Sequence, residues 1–122
     1  MRRLLLPACL IVLGLLAPTS ATAASTVLVV TADEWSLSPA PRGLPAGPVA
    51  VRLRNAGQDS HNLALRREDR SGRPAGATLR VSTTAPDRSR TRSLRLRLGT
   101  WRLWCTIPNH RQLGMRARLR VR

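Results

Sequence analysis

Three stretches of this chain place apolar residues at every second position, mostly with arginine between them. Val49, Val51 and Leu53 alternate with Ala50, Arg52 and Arg54. Leu94, Leu96 and Leu98 alternate with Arg95 and Arg97, and Ala117, Leu119 and Val121 with Arg116, Arg118, Arg120 and Arg122. A period of two sends successive side chains to opposite faces of a pleated strand, so each run has one face inward and one in water. Residues 26–31 form a further β-rich run, and residues 35–38 alternate apolar with polar. Pro39, Pro41, Gly43, Pro45, Gly47 and Pro48 punctuate a connection, and Asn55-Ala56-Gly57 marks a turn before a strand carrying Leu63 and Leu65. Between Arg66 and Arg92 we place one strand near residues 79–81 and read the rest as loop. Gly99-Thr100 turns the chain, so residues 101–105 are expected to return as the hairpin partner of residues 94–98. No internal repeat and no convincing amphipathic helix interrupts the pattern. Seven or eight short strands with turns between them predict an all-β sandwich.

At 122 residues one domain is expected. Arg2 and Arg3 precede an apolar run of 14 residues, 4–17, and Ala21-Thr22-Ala23 follows as a small-x-small cleavage pattern. The run falls short of the roughly 20 residues a membrane span needs. Residues 1–24 therefore read as a cleaved signal peptide and residues 25–122 as the domain, secreted or periplasmic. Cys9 leaves with such a leader, and Cys105 becomes the only cysteine of the mature chain. No internal disulfide is then possible, and an unpaired thiol in an oxidising compartment calls for a role.

All 21 basic residues are arginine, against 6 acidic ones, for a formal net charge of +15. Such a field attracts acidic proteins and anionic envelope surfaces. Many of these arginines fall on the outer faces of strands, where they also discourage edge-to-edge association. The chain has no Tyr and no Phe, only Trp35, Trp101 and Trp104. It lacks the stacking rings of a surface that reads single-stranded nucleic acid, and no nucleic-acid partner is expected.

The chemistry concentrates in the string from Trp104 to Met115, WCTIPNHRQLGM, with Cys105, His110 and Met115 at intervals of five. His61 lies 44 residues before Cys105. These are the only two histidines, with the only cysteine and methionine outside the leader and the initiating Met1. A thiolate, two imidazoles and a thioether form a soft donor set that suits copper, with the thioether as a weak axial ligand. Zinc accepts Cys and His equally well, but a zinc site would not require Met115.

The segment from Gly99 to Val121 resembles the C-terminal segment of the cupredoxins, the small blue-copper proteins. Asp59-Ser60-His61-Asn62-Leu63, after the Asn55-Ala56-Gly57 turn, resembles their first-ligand region. The resemblance implies a Greek-key β-sandwich and one copper ion cycling between Cu(I) and Cu(II). It implies His61, Cys105 and His110 as equatorial ligands and Met115 as the axial one. Asn62 would tie the two ligand loops together by hydrogen bonds. Trp101 and Trp104 stand where this family often has Tyr or Phe, and their indole nitrogens need partners if buried. Asn109 stands where a glycine often precedes the second histidine, and Asn tolerates left-handed backbone.

The leading functional expectation is a soluble one-electron carrier that is not an enzyme. Its electrons would pass through the edge of His110 at a partner surface containing Pro108, Arg111 and Leu113. Arg111 would favour an acidic patch on a redox-protein partner. Two alternatives stand beside it: copper storage or delivery without redox turnover, through the same ligands, and a non-metal basic adhesion module that keeps only the fold. A monomer is expected. Two histidines cannot furnish the additional copper centres of copper oxidases or nitrite reductases, and one cysteine lacks the resolving thiol of a disulfide exchanger.

Overall fold

The computed structural model describes residues 25–122. Residues 1–24, read from the sequence as a signal peptide, lie outside the described residues. Nine strands and one short helix follow in order. They are β1 (Thr26–Asp33), β2 (Ser36–Ala40), β3 (Gly43–Leu44), β4 (Gly47–Asn55), β5 (His61–Glu68), β6 (Pro74–Thr84), β7 (Ser89–Leu96), β8 (Gly99–Trp104), α1 (His110–Leu113) and β9 (Arg116–Val121). They form two sheets, ordered β2-β1-β4-β7 and β3-β9-β8-β5-β6. Both sheets are mixed: β1 runs parallel to β4, and β3 parallel to β9, while the remaining pairs are antiparallel. Nine strands rather than eight arise because the Pro/Gly-rich connection contributes the two-residue β3.

The inner faces are those the alternation identified. Val49, Val51 and Leu53 of β4 and Leu119 and Val121 of β9 are buried, with arginines outward. Leu28 and Val30 of β1, Leu63 and Leu65 of β5, and Trp101 and Leu103 of β8 complete the core between the sheets. Each large aliphatic side chain so buried contributes about 1.5–3 kcal/mol over its exposed state. Trp101 is buried, and its Nε1 donates to the Arg97 carbonyl at 2.9 Å, which meets the need of its indole nitrogen.

Two local expectations are corrected. Residues 94–98 and 101–105 do not form a hairpin. Residues 94–96 belong to β7, which pairs with β4, and residues 101–104 to β8, which pairs with β5 and β9 in the other sheet. The chain crosses between sheets here, and Leu98 stands in the crossing, 64% exposed. The stretch read mainly as loop holds the end of β5, the 11-residue β6 and the start of β7. β6 is an edge strand with only Val81 and Thr84 buried, so its sequence lacks a clear apolar period.

Candidate metal centre

Four segments meet at one end of the sandwich. β5 begins at His61, β8 ends just before Cys105, α1 begins at His110, and the turn between β1 and β2 carries Glu34 and Trp35. His61, Cys105 and His110 are all buried, and their candidate ligand atoms lie within 4.8 Å of one another. His61 Nδ1 faces His110 Nδ1 at 3.2 Å, and Cys105 Sγ lies 3.7 Å from the same His110 Nδ1.

These spacings test whether one ion fits. Nitrogens held about 2.0 Å from a first-row ion at a near-tetrahedral angle lie about 3.2–3.3 Å apart. A thiolate sulfur about 2.3 Å from the same ion lies about 3.5–3.7 Å from such a nitrogen. The two distances to His110 Nδ1 match these values, the third pair of the cluster lies within 4.8 Å, and the softness of the donors suits copper. Met115 is fully buried in the same corner. Its N–H donates to the His110 carbonyl at 3.0 Å, and its carbonyl accepts from the Cys105 N–H at 3.1 Å. The loop that carries three of the four sequence-selected residues is thus closed by its own backbone.

Local sequence explains the loop's shape. Asn109 adopts φ 70°, in the left-handed region that Asn enters at modest cost, and delivers the chain into α1. Gly114 ends α1 at φ 132°. A Cβ there would stand 2.6 Å from the Trp35 carbonyl oxygen, so the backbone approach between this loop and the β1–β2 turn depends on glycine.

Asn62 bridges the segment that begins at His61 and the one that follows Cys105. Its Oδ1 accepts the Thr106 N–H at 2.8 Å, and its Nδ2 donates to Thr106 Oγ1 at 2.9 Å. The residue after His61 is therefore tied to the residue after Cys105. Asn55, read only as part of a turn, holds the approach to His61 from the other side. Its Nδ2 donates to the carbonyls of Asp59, at 2.7 Å, and Thr84, at 2.9 Å, while its Oδ1 accepts the Gly57 N–H at 2.9 Å. Thr84 is the β6 residue paired with His61.

Glu34 and Trp35 belong to the site although sequence reasoning passed over them. Glu34 Oε1 lies 2.7 Å from His61 Nε2. The carboxylate also accepts the N–H groups of Asp59 and Gln58, each at 2.9 Å. Those two backbone hydrogen bonds, foremost that from Asp59, hold its pKa down to about 2, so it is anionic at neutral pH. Gly57 makes the room: a Cβ there would collide with the Glu34 carboxylate. The Trp35 ring meets His110 edge-on, centroids 4.8 Å apart. One turn thus touches both imidazoles. No spacing rule links residue 34 to residue 61, and an acidic pair at a strand end, Asp33-Glu34, carried no signal of its own.

Of the expected partner surface, Pro108, Arg111 and Leu113 are all exposed beside the site. The Arg111 guanidinium lies 5.3 Å from the centroid of the Trp104 ring, a cation–π contact. The groove behind it, about 510 Å³, is lined by Arg102, Trp104, Arg111, Arg116 and Arg118 among others.

No family model and no curated protein matches the sequence. Solved structures do match in shape. A dithionite-reduced auracyanin from the photosynthetic bacterium Roseiflexus castenholzii superposes with a TM-score of 0.63 at 19% identity, over 81% of this chain and 98% of that one. Auracyanin A from Chloroflexus aurantiacus, a "blue" copper protein, gives 0.62 at 17% identity, over 81% and 100%. A purple cupredoxin from Nitrosopumilus maritimus gives 0.51 at 12% identity, over 80% and 100%. At these identities the likeness is one of fold, and it spans nearly the whole of each of these chains. The chain has the cupredoxin fold, with a buried His61–Cys105–His110 cluster positioned to hold one metal ion.

Proposed function

We propose that this protein is a blue-copper one-electron carrier, with copper held by His61, Cys105 and His110 and with Met115 as axial ligand. The observation that carries the reading is the convergence of two imidazole nitrogens and one thiol in a buried pocket at spacings that suit a single ion. When bound, copper supplies one-electron exchange between Cu(II) and Cu(I).

The protein's own residues do the rest. Cys105 Sγ and the two imidazoles supply strong donors fixed before metal arrives, and a preorganised set resists rearrangement between oxidation states. Asn62 keeps the His61 and Cys105 segments at one separation. His110 is the donor at the rim, 9% exposed, beside the exposed Leu113 and the partly exposed Trp35. That edge is where a partner would come close enough to exchange an electron. Arg111 beside it favours the lower charge of the reduced site and an acidic patch on the partner. Burial of all three donors favours retention over the handover that storage or delivery requires.

The export reading of residues 1–24 accompanies this proposal. It puts the carrier outside the cytoplasm, secreted or periplasmic, working as a monomer with a redox protein. The arginine-rich outer faces would also support peripheral contact with an anionic envelope.

Adding Cu(II) to the purified protein and recording visible absorption and electron spin resonance tests the reading. We expect an intense thiolate-to-copper band with narrow hyperfine splitting. It should vanish in Cys105→Ser and be lost or transformed in His61→Ala and His110→Ala. A colourless protein, or a band that survives Cys105→Ser, would refute it. Electron transfer to the physiological partner should slow as salt rises, and a salt-independent rate would remove the acidic-patch argument.

A further inference from the structure

The His61 ring has two nitrogens, and the protein meets both. Nδ1 faces His110 Nδ1 at 3.2 Å, within the cluster that includes Cys105. Nε2, on the far edge of the ring, meets the Glu34 carboxylate at 2.7 Å. In an imidazole these two nitrogens point in divergent directions, so Glu34 cannot reach the ion that Nδ1 would bind. It acts on the ring instead. His61 is fully buried, so the partner of Nε2 has to come from the protein.

A neutral imidazole carries one proton, and the hydrogen bond made by one nitrogen decides the state of the other. An ionised carboxylate can only accept. We propose that Glu34 is a positioning residue for the metal centre: by accepting the Nε2 proton of His61 it leaves Nδ1 as the free donor and strengthens that donor toward an oxidised ion. The inference rests on the copper reading of the same site and adds a determinant of its redox balance.

Three further observations bear on it. The carboxylate is not a loose surface group, because the N–H groups of Gln58 and Asp59 hold both of its oxygens. Gly57 carries no side chain where one would displace it. Glu34 also sits on the β1–β2 turn, whose next residue, Trp35, contacts His110. Carboxylate partners of metal-bound histidines raise the basicity of the ring and fix its orientation, and their loss typically costs 10–100-fold in metal affinity. A fixed negative charge near the centre favours Cu(II) over Cu(I), so Glu34 and Arg111 pull the potential in opposite directions.

Two variants separate charge from geometry. Glu34→Gln keeps an oxygen that can accept the Nε2 proton but removes the charge, and Glu34→Ala removes both. In Glu34→Gln the affinity for Cu(II) relative to Cu(I) should fall about tenfold, a rise in potential of about 59 mV for one electron. In the metal-free protein, nitrogen NMR of the imidazoles should find His61 protonated on Nε2 in the wild type and in Glu34→Gln. In Glu34→Ala it should find a mixture of tautomers. An unchanged potential in both variants, or a His61 still wholly protonated on Nε2 in Glu34→Ala, would overturn the proposal. If the wild-type protein takes up no copper, the copper reading falls by itself. The tautomer measurement, made without metal, then still decides whether Glu34 controls His61.

Discussion

Asn55 offers the sharpest test of how the sandwich holds its first histidine. The side chain is 1% exposed and makes three hydrogen bonds, donating to Asp59 and Thr84 and accepting from Gly57. Asn55→Ala removes all three and takes a side-chain donor from the carbonyl of the buried Thr84. Each net hydrogen bond is worth about 0.5–1.5 kcal/mol and an orphaned buried group costs about 1–3 kcal/mol, so a loss of about 2–4 kcal/mol is expected. Against a typical stability of about 5–15 kcal/mol the variant still folds. For a domain of about 100 residues the loss corresponds to a fall of about 10–25 °C in Tm. Asn55→Asp is nearly isosteric but reverses the polarity of the Nδ2 position. An ionised carboxylate would face two carbonyl oxygens with only the Gly57 N–H as donor. It should therefore be less stable than Asn55→Ala at neutral pH. The introduced carboxyl has its pKa raised in the folded state, so its deficit should shrink on acidification as it gains a proton. Urea denaturation of the metal-free protein, followed by tryptophan fluorescence, measures both variants, and the m value should not change. An alanine variant within about 0.5 kcal/mol of wild type, or an aspartate variant that exceeds it in stability at pH 7, would refute the reasoning.

Two further outcomes can be checked with the same protein. Gly114→Ala places a methyl group 2.6 Å from the Trp35 carbonyl at a backbone angle of 132°, and a loss of at least about 1–3 kcal/mol is expected. Trp35 should move off His110 and change its fluorescence, whereas an unperturbed spectrum and stability would contradict the close approach. Asp69 has its pKa lowered from 3.8, chiefly by the Ser71 hydroxyl and then the Arg73 N–H. A depressed folded-state pKa contributes stability above the unfolded value that fades as pH falls through the folded one. The Tm gap between wild type and Asp69→Asn should therefore be present at pH 7 and close below pH 3.8. A gap that widens in acid would reverse the sign of this argument.

The role of the β1–β2 turn changes how the metal centre is understood. Three of the expected ligands come from one short loop, and the fourth lies at the start of β5. The turn adds no ligand. It closes the site from outside, with Glu34 on one imidazole and Trp35 on the other. Two glycines make this closure possible, because a Cβ on Gly57 or Gly114 would meet the turn's own atoms. Substitutions in a segment far in sequence from Cys105 and His110 are thus expected to disturb the candidate metal site.

Strand faces were legible in the sequence because the side-chain period of a strand is a local property of the backbone. Val49, Val51, Leu53, Leu119 and Val121 are buried where the alternation put them, and Asn109 takes the left-handed conformation its side chain tolerates. The donor set was legible for a different reason. Cys105, His110 and Met115 are unusual residues at short, regular spacing, and His61 was the only other imidazole in the chain. Local pattern carries no information about which strand lies beside which. The alternation of β7 and β8 therefore read as a hairpin, although they belong to different sheets. An edge strand such as β6 is solvated on most of its surface and leaves little apolar signal to read. The contacts that finish the site, from Glu34 to His61, from Asn55 to Thr84 and from Asn62 to Thr106, join residues 27, 29 and 44 positions apart. Hydrogen bonds act over about 3 Å, and only the packing of two sheets brings such distant segments that close.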